Sequence, residues 1–214
     1  MKKILVIWAM FMTFACTKSP VDVVEANSSV QERSTFAISG KIVWEHDTTQ
    51  GVGLVTVKLT GPETQTVVTN ASGLFSFSVT SAGTYTVTPT KTVNLLNGVT
   101  GTLGGDATLI QQHVAFVSLL PTAYKVVAAD ANKNGLLSSL DASIVNQAYL
   151  GNPSAQTQLN PSWTFVDRGY VFGSVPPIPN YPKTRTVSVS ASVTQVDFVG
   201  IKRGDVNGSA DPSQ

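Results

Sequence analysis

Twelve residues, Asp130 to Asp141, carry the most specific chemistry in the chain. They read Asp130-Ala131-Asn132-Lys133-Asn134-Gly135-Leu136-Leu137-Ser138-Ser139-Leu140-Asp141. Oxygen-bearing side chains fall at positions 1, 3, 5, 9 and 12 of this run, and glycine falls at position 6. A hard divalent cation such as Ca2+ takes roughly six to eight oxygen ligands, which a loop of this length supplies from positions 1, 3, 5, 7, 9 and 12. Position 6 turns sharply and favours glycine. The spacing therefore assigns Asp130, Asn132 and Asn134 as side-chain ligands and Leu136 as a carbonyl ligand. Ser138 would act through water, and Asp141 would close the shell. Two carboxylates and two amides make a mildly anionic site, suited to calcium-rich surroundings outside the cytoplasm. The alternative is a polar turn in which Asp141 merely opens the next helix, where a carboxylate suits the positive end of the dipole.

A second set of residues is scattered. Gly204-Asp205-Val206-Asn207-Gly208 looks like the opening of another such loop, and Asp106 like the close of one. Counting back from Asp106 puts Leu95 at position 1, where its side chain has nothing to offer a cation. The fragments complement each other. Asp205 and Asn207 would supply positions 1 and 3, Asn97 something like position 5, and Asp106 position 12. The stretch from Asn97 to Asp106 is two residues too long and is rich in glycine at Gly101, Gly104 and Gly105. The alternative is an ordinary Asp-Val-Asn-Gly turn.

Other chemistry is sparse. There is no Gly-x-Ser-x-Gly, no His-Glu-x-x-His and no phosphate-cradling glycine loop. The two histidines, His46 and His113, have no metal-ligand spacing. The expectation is a protein that is not an enzyme, with Ca2+ as its only cofactor. Trp163, with Phe165, Tyr170 and Phe172, reads either as a sugar-stacking platform or as packing over a small core. The net charge is +1 without a basic block, which excludes a nucleic-acid partner. The partners left are a protein or a glycan.

The loops need elements to hold them. With 42% hydrophobic and 13% charged residues, the chain has enough apolar surface for a core. From Phe36 to about residue 90 the period is two. The strands are 36–44, 55–59, 66–69, 74–79 and 84–89, separated by Gly61-Pro62, Asn70-Ala71-Ser72-Gly73 and Ala82-Gly83 turns. From Asp106 the period becomes helical, with Leu109, Ile110, His113 and Phe116 on one side. A second helix runs from Asp141 to Leu150, with Gly151 as its stop. Two late strands are expected near 185–190 and 196–202. The N-terminus begins with Lys2 and Lys3, followed by an apolar run from Ile4 to Ala15. That run is too short to span a bilayer and suits a signal peptide. Cys16, the only cysteine, follows it, and residues 17 to 34 are polar, like a tether.

Three resemblances sharpen these expectations. Thr13-Phe14-Ala15-Cys16 resembles a bacterial lipobox, which implies acylation of Cys16; plain secretion is the alternative. Ile38-Ser39-Gly40-Lys41-Ile42, Thr69 to Phe77 and Ala82 to Val87 resemble the carboxypeptidase regulatory-like family, a transthyretin-like sandwich. The pair of Asp-opened helices, with Asn97-Gly98-Val99, Ser162 to Val166 and Gly204 to Gly208, resembles a dockerin-type module of Bacteroidetes surface proteins. The dockerin pattern closes its loop with Asp, as Asp141 does here. The implied organisation is a signal peptide (1–15), a lipidated tether (16–34), a β-sandwich (35–91) and a calcium module (92–210). The fold class is mainly β with a small α part. The function implied is a non-catalytic lipoprotein of the cell outer membrane, calcium-stabilised and interactive or structural. The alternative is a dockerin-type or glycan-binding accessory of a surface polysaccharide-handling complex.

Overall fold

Alternating burial marks four of the first five strands, while the first ends in three consecutive buried residues. The five are β1 (Phe36–Trp44), β2 (Thr56–Thr60), β3 (Gln65–Val68), β4 (Leu74–Val79) and β5 (Gly83–Thr90). In β4 Phe75, Phe77 and Val79 point inward, and in β2 Val57 and Leu59 do so. This is the period-two pattern of a sheet with one covered face. Four helices follow: α1 (Asp106–Val114), α2 (Ala123–Ala129), α3 (Ser139–Tyr149) and α4 (Pro153–Leu159). The chain then adds β6 (Trp163–Asp167), β7 (Arg185–Val189) and β8 (Phe198–Lys202). This computed structural model describes residues 34–101, 104–173, 178 and 180–214. The expected signal peptide, Cys16 and nearly all of the tether lie outside the described residues.

The eight strands form two four-stranded sheets, ordered β4-β1-β8-β6 and β3-β2-β5-β7. β1 pairs antiparallel with β4 along Phe36 to Lys41 and parallel with β8 along Ile42 to Trp44. β7 pairs antiparallel with β5, placing Tyr85 opposite Val187. Each sheet is thus completed by strands from the far end of the chain. The boundary expected at residue 91 does not separate two sheets, and residues 33–214 form one compact unit. The result is a β-sandwich with four helices, mixed in α and β.

Two cores meet along β6 and β8. Between the sheets lie Ile42, Leu59, Phe77, Tyr85, Trp163 and Phe198. Against the helices lie Ile110, Val127, Val145, Leu159, Val166 and Ile201. β6 sends Trp163 and Phe165 into the sandwich and Val166 the other way. β8 does the same with Phe198 and Ile201. Covered on both faces, these strands have no polar side to alternate with.

The C-terminal segment is fastened by buried lysines. Lys91 Nζ donates to the carbonyls of Gly53 (2.7 Å) and Pro212 (3.3 Å), and it sits 5.0 Å from the centre of the Trp163 ring. Lys202, fully buried, donates to the Leu95 carbonyl at 2.6 Å. Burial lowers the Lys91 ammonium to about 8.

Two outcomes follow. A fragment limited to residues 33–99 lacks β6, β7 and β8, so it leaves an edge of β1 and an edge of β5 unpaired. It should show no cooperative thermal transition by circular dichroism; a sharp melt would contradict the shared-sheet architecture. Between pH 8 and 10.5 the unfolded chain holds a proton at Lys91 that the folded chain releases. Stability should therefore rise with pH across that window. Urea titrations should show a shallower rise in Lys91→Met.

Candidate metal centre

The first loop hangs between two helices. α2 ends at Ala129 with Asp130 as its cap residue, and α3 starts after Ser138. Asp130 turns its carboxylate back on the loop: Oδ1 accepts from the Asn134 N–H (3.2 Å) and Oδ2 from the Gly135 N–H (3.1 Å). Asn132 Oδ1 accepts from the Asn134 N–H, and Asn134 Oδ1 from the Leu136 N–H. These side-chain turns wrap the backbone without secondary structure. Lys133 and Gly135 hold φ of 63° and 81°, so the sharp turn expected of Gly135 is in place. Asp141 closes the loop. Its Oδ1 accepts from the N–H groups of Ala131 (3.1 Å) and Asn132 (3.3 Å). Its Oδ2 accepts from Ser138 N (2.9 Å) and Ser138 Oγ (3.0 Å), the acidic half of a capping box. Asp130, Asn132, Asn134, Ser138 and Asp141 are thereby tied into one loop, with the Leu136 carbonyl next to them along the chain.

The second set assembles from distant segments with the same bonds. β8 leaves the sheet through Gly204, and Asp205 Oδ1 accepts from the N–H groups of Gly208 (2.8 Å) and Ser209 (3.0 Å). Asp205 Oδ2 accepts from the Ala210 N–H at 3.1 Å, as Asp130 Oδ2 does from Gly135. Asn207 Oδ1 accepts from the Ser209 N–H, as Asn132 does from Asn134. Asp106 takes the part of Asp141. Its Oδ1 accepts from the N–H groups of Val206 (2.7 Å) and Asn207 (3.0 Å). Its Oδ2 accepts from Thr100 N (2.7 Å) and Thr100 Oγ (2.6 Å), the pair of bonds Ser138 gives Asp141. Gly208 has φ 77° at the place of Lys133, and its Cα faces the His46 ring with no room for a side chain. Ala131 and Val206, second in each loop, both bury their side chains in the helical core.

These bonds bring Asp106, Asp205 and Asn207 together, but Asn97 has a different place. Its Nδ2 donates to the Asp211 carbonyl (2.7 Å) and its Oδ1 accepts from the Asp211 N–H (3.1 Å). Ser209 stands fifth in the second loop instead. Ser209 and Thr100 were missed, although Asp205, Asn207, Ser209 and Asp211 at every second position carried the signal.

Charge gives these loops their chemistry. Asp106, Asp141 and Asp205 are fully buried and Asp130 nearly so. None of the ion pairs among the described residues involves them. Burial raises the carboxyls of Asp106 and Asp130, against the backbone N–H groups that lower them. Each loop offers carboxylate, amide and hydroxyl oxygens, which suit a hard cation. Among the described residues, neither loop gathers three or more His, Cys, Asp or Glu side chains.

Trp163 packs in the sandwich core and is no stacking platform. It is 2% exposed, and Lys91 covers one face of its ring. Phe172 packs edge-on against both Tyr124 and Tyr170. His113 Nδ1 accepts from the Leu120 N–H at 2.9 Å and serves the turn after α1.

Asp106→Ala removes the acceptor of four donors on two segments. Buried donors left without partners cost about 1–3 kcal/mol each. The variant should lose roughly 3 kcal/mol in denaturant unfolding, and an unchanged midpoint would contradict this arrangement.

Residues 33–99 match the family model described as BOS complex subunit NOMO1-like, second beta sandwich domain. No curated protein and no solved structure matches the chain. The matched stretch holds β1 to β5, and its similarity supports a β-sandwich of the transthyretin-like kind.

Proposed function

We propose that this chain is a non-catalytic, exported lipoprotein whose fold is stabilised by two calcium ions, and that it serves as an interaction or structural module at the cell envelope. One observation carries the reading: four buried aspartates without ion-pair partners among the described residues sit in two loops with the same hydrogen-bond pattern. Buried charge is ordinarily paired or metal-bound. Calcium would draw on Asp130, Asn132, Asn134, the Leu136 carbonyl, Ser138 and Asp141 in the first loop. In the second it would draw on Asp205, Asn207, Ser209 and Asp106. The dockerin-type resemblance belongs to this proposal, with the second loop permuted so that its closing Asp106 comes first in the chain. The lipid anchor at Cys16 and the outer-membrane location rest on the N-terminal sequence. Among the described residues no helix is long and apolar enough to cross a membrane.

Docking to a protein of a surface polysaccharide-handling complex is the second reading. It is favoured by exposed Phe116, Leu119, Leu136 and Leu140 beside the first loop. Such apolar surface marks contact sites more often than free surface. Calcium-dependent capture of one outer-membrane protein, lost in Leu136→Asp, would favour docking over a purely structural role.

Calcium binds the folded state alone, so it stabilises by mass action. At a hundredfold excess over Kd, two sites should raise Tm by roughly 10–20 °C over the chelated protein. Titration calorimetry should give two ions for the native chain and one for Asp205→Ala. An identical melt in EDTA would overturn the reading, and equal stoichiometry in Asp205→Ala would remove the second site.

A further inference from the structure

A cavity of about 460 Å³ opens between the first loop and the segment around Tyr181. Arg203, Lys133 and Lys183 line it, with Asn134, Asn180 and Tyr181. Arg203 follows β8 directly and is 4% exposed. A guanidinium carries five N–H donors and never gives up its charge. Among the described residues the side chain makes one long hydrogen bond, from Nη1 to the Asp130 carbonyl at 3.4 Å. Its Nε has no partner among the described residues, and no carboxylate there forms an ion pair with it. A buried guanidinium so poorly satisfied is expensive to keep unless an acceptor comes from outside.

The surroundings point to the sign of that acceptor. Lys133 extends from the loop to the Asn160 carbonyl at 2.6 Å. Lys183 lies 5.3 Å from the centre of the Tyr181 ring. Three cations thus share the cavity with one carboxylate, that of Asp130. Both oxygens of that carboxylate already accept backbone N–H groups. The excess is two positive charges, three minus one. Asn134 and Asn180 add amides able to meet hydroxyl groups. The volume suits one ring-sized ligand, at the small end of the pockets that take organic molecules.

We propose that this cavity binds a small hydroxylated carboxylate of the uronic-acid kind, its carboxylate on the Arg203 guanidinium and its charge balanced by Lys133 and Lys183. Guanidinium and carboxylate match as planar partners, which favours this anion over a spherical one. The inference does not depend on calcium in the loop.

The probe is D-glucuronate, titrated into the full folded chain in calcium-containing buffer and followed by amide NMR shifts. Saturable shifts at Asn134, Asn180 and Lys183 are expected. Glucose, the neutral counterpart, should bind at least about tenfold more weakly. Because Arg203 is buried directly after β8, the deciding variant is Lys133→Gln with Lys183→Gln, at two exposed positions. It should keep its melting temperature and weaken glucuronate by at least about tenfold. Absence of saturation, equal binding of glucose or unaltered binding in the double variant would overturn the proposal. Sulfate binding as tightly as glucuronate would overturn the assignment to a carboxylate. Calcium stoichiometry measured on the same samples is a separate readout, so failure here leaves the calcium reading standing.

Discussion

The structure depends on the burial of β8 on both faces. Phe198 belongs to the sandwich core and Ile201 to the helical core, so one strand of five residues holds two hydrophobic clusters together. It lies between β1 and β6, pairing parallel on one side and antiparallel on the other. No polar face is left, and the one charged residue within it, Lys202, must find its acceptor inside the protein, on Leu95. Its continuation carries Arg203 and Asp205 to fixed positions. Both candidate sites are therefore set by the same backbone.

The two loops are a case of one hydrogen-bond pattern reached by two chain routes. In the first, Asp130 and Asp141 are joined by a continuous stretch of sequence. In the second, 100 positions separate Val206 from the Asp106 carboxylate it meets. The pattern survives because it depends on where N–H groups point, and these are set by turns and by the helix that each closing aspartate opens. α1 and α3 play equal parts, and each aspartate accepts from the second and third residues of its loop. N–H dipoles steady the buried carboxylates without adding net charge.

The sequence made the one-faced strands β2 to β5 legible, since a half-covered strand must alternate. It also made the first loop legible, since all its oxygens are local. β6 read as an aromatic-rich segment because Trp163, Thr164, Phe165 and Val166 are all buried and show no period. α2 and α4 were missed at seven residues each, too short to display a helical repeat. The caps at Thr122 and at Asn152 before Pro153 were nonetheless present as signals. Asn97 was misplaced because spacing along the chain says little when the chain enters the site twice. Its apparent match to position 5 came from counting, whereas its bonds with Asp211 came from the fold. The division at residue 91 failed for a related reason: a strand's composition does not say which sheet it joins.

The distance between Asp106 and Asp205 has a consequence for the order of events in folding. Closing a loop of about 100 residues costs chain entropy that local turns do not pay. The first loop and its flanking helices are close in sequence and able to form early, while the second waits until β8 has found its slot beside β1. The last segment to arrive is also the one that seals both cores. A chain emerging from its N-terminus must keep the apolar edge of β1 from other partners until residues 198–202 are available. Its most vulnerable moment is therefore the interval before its own C-terminal strand completes the sheet.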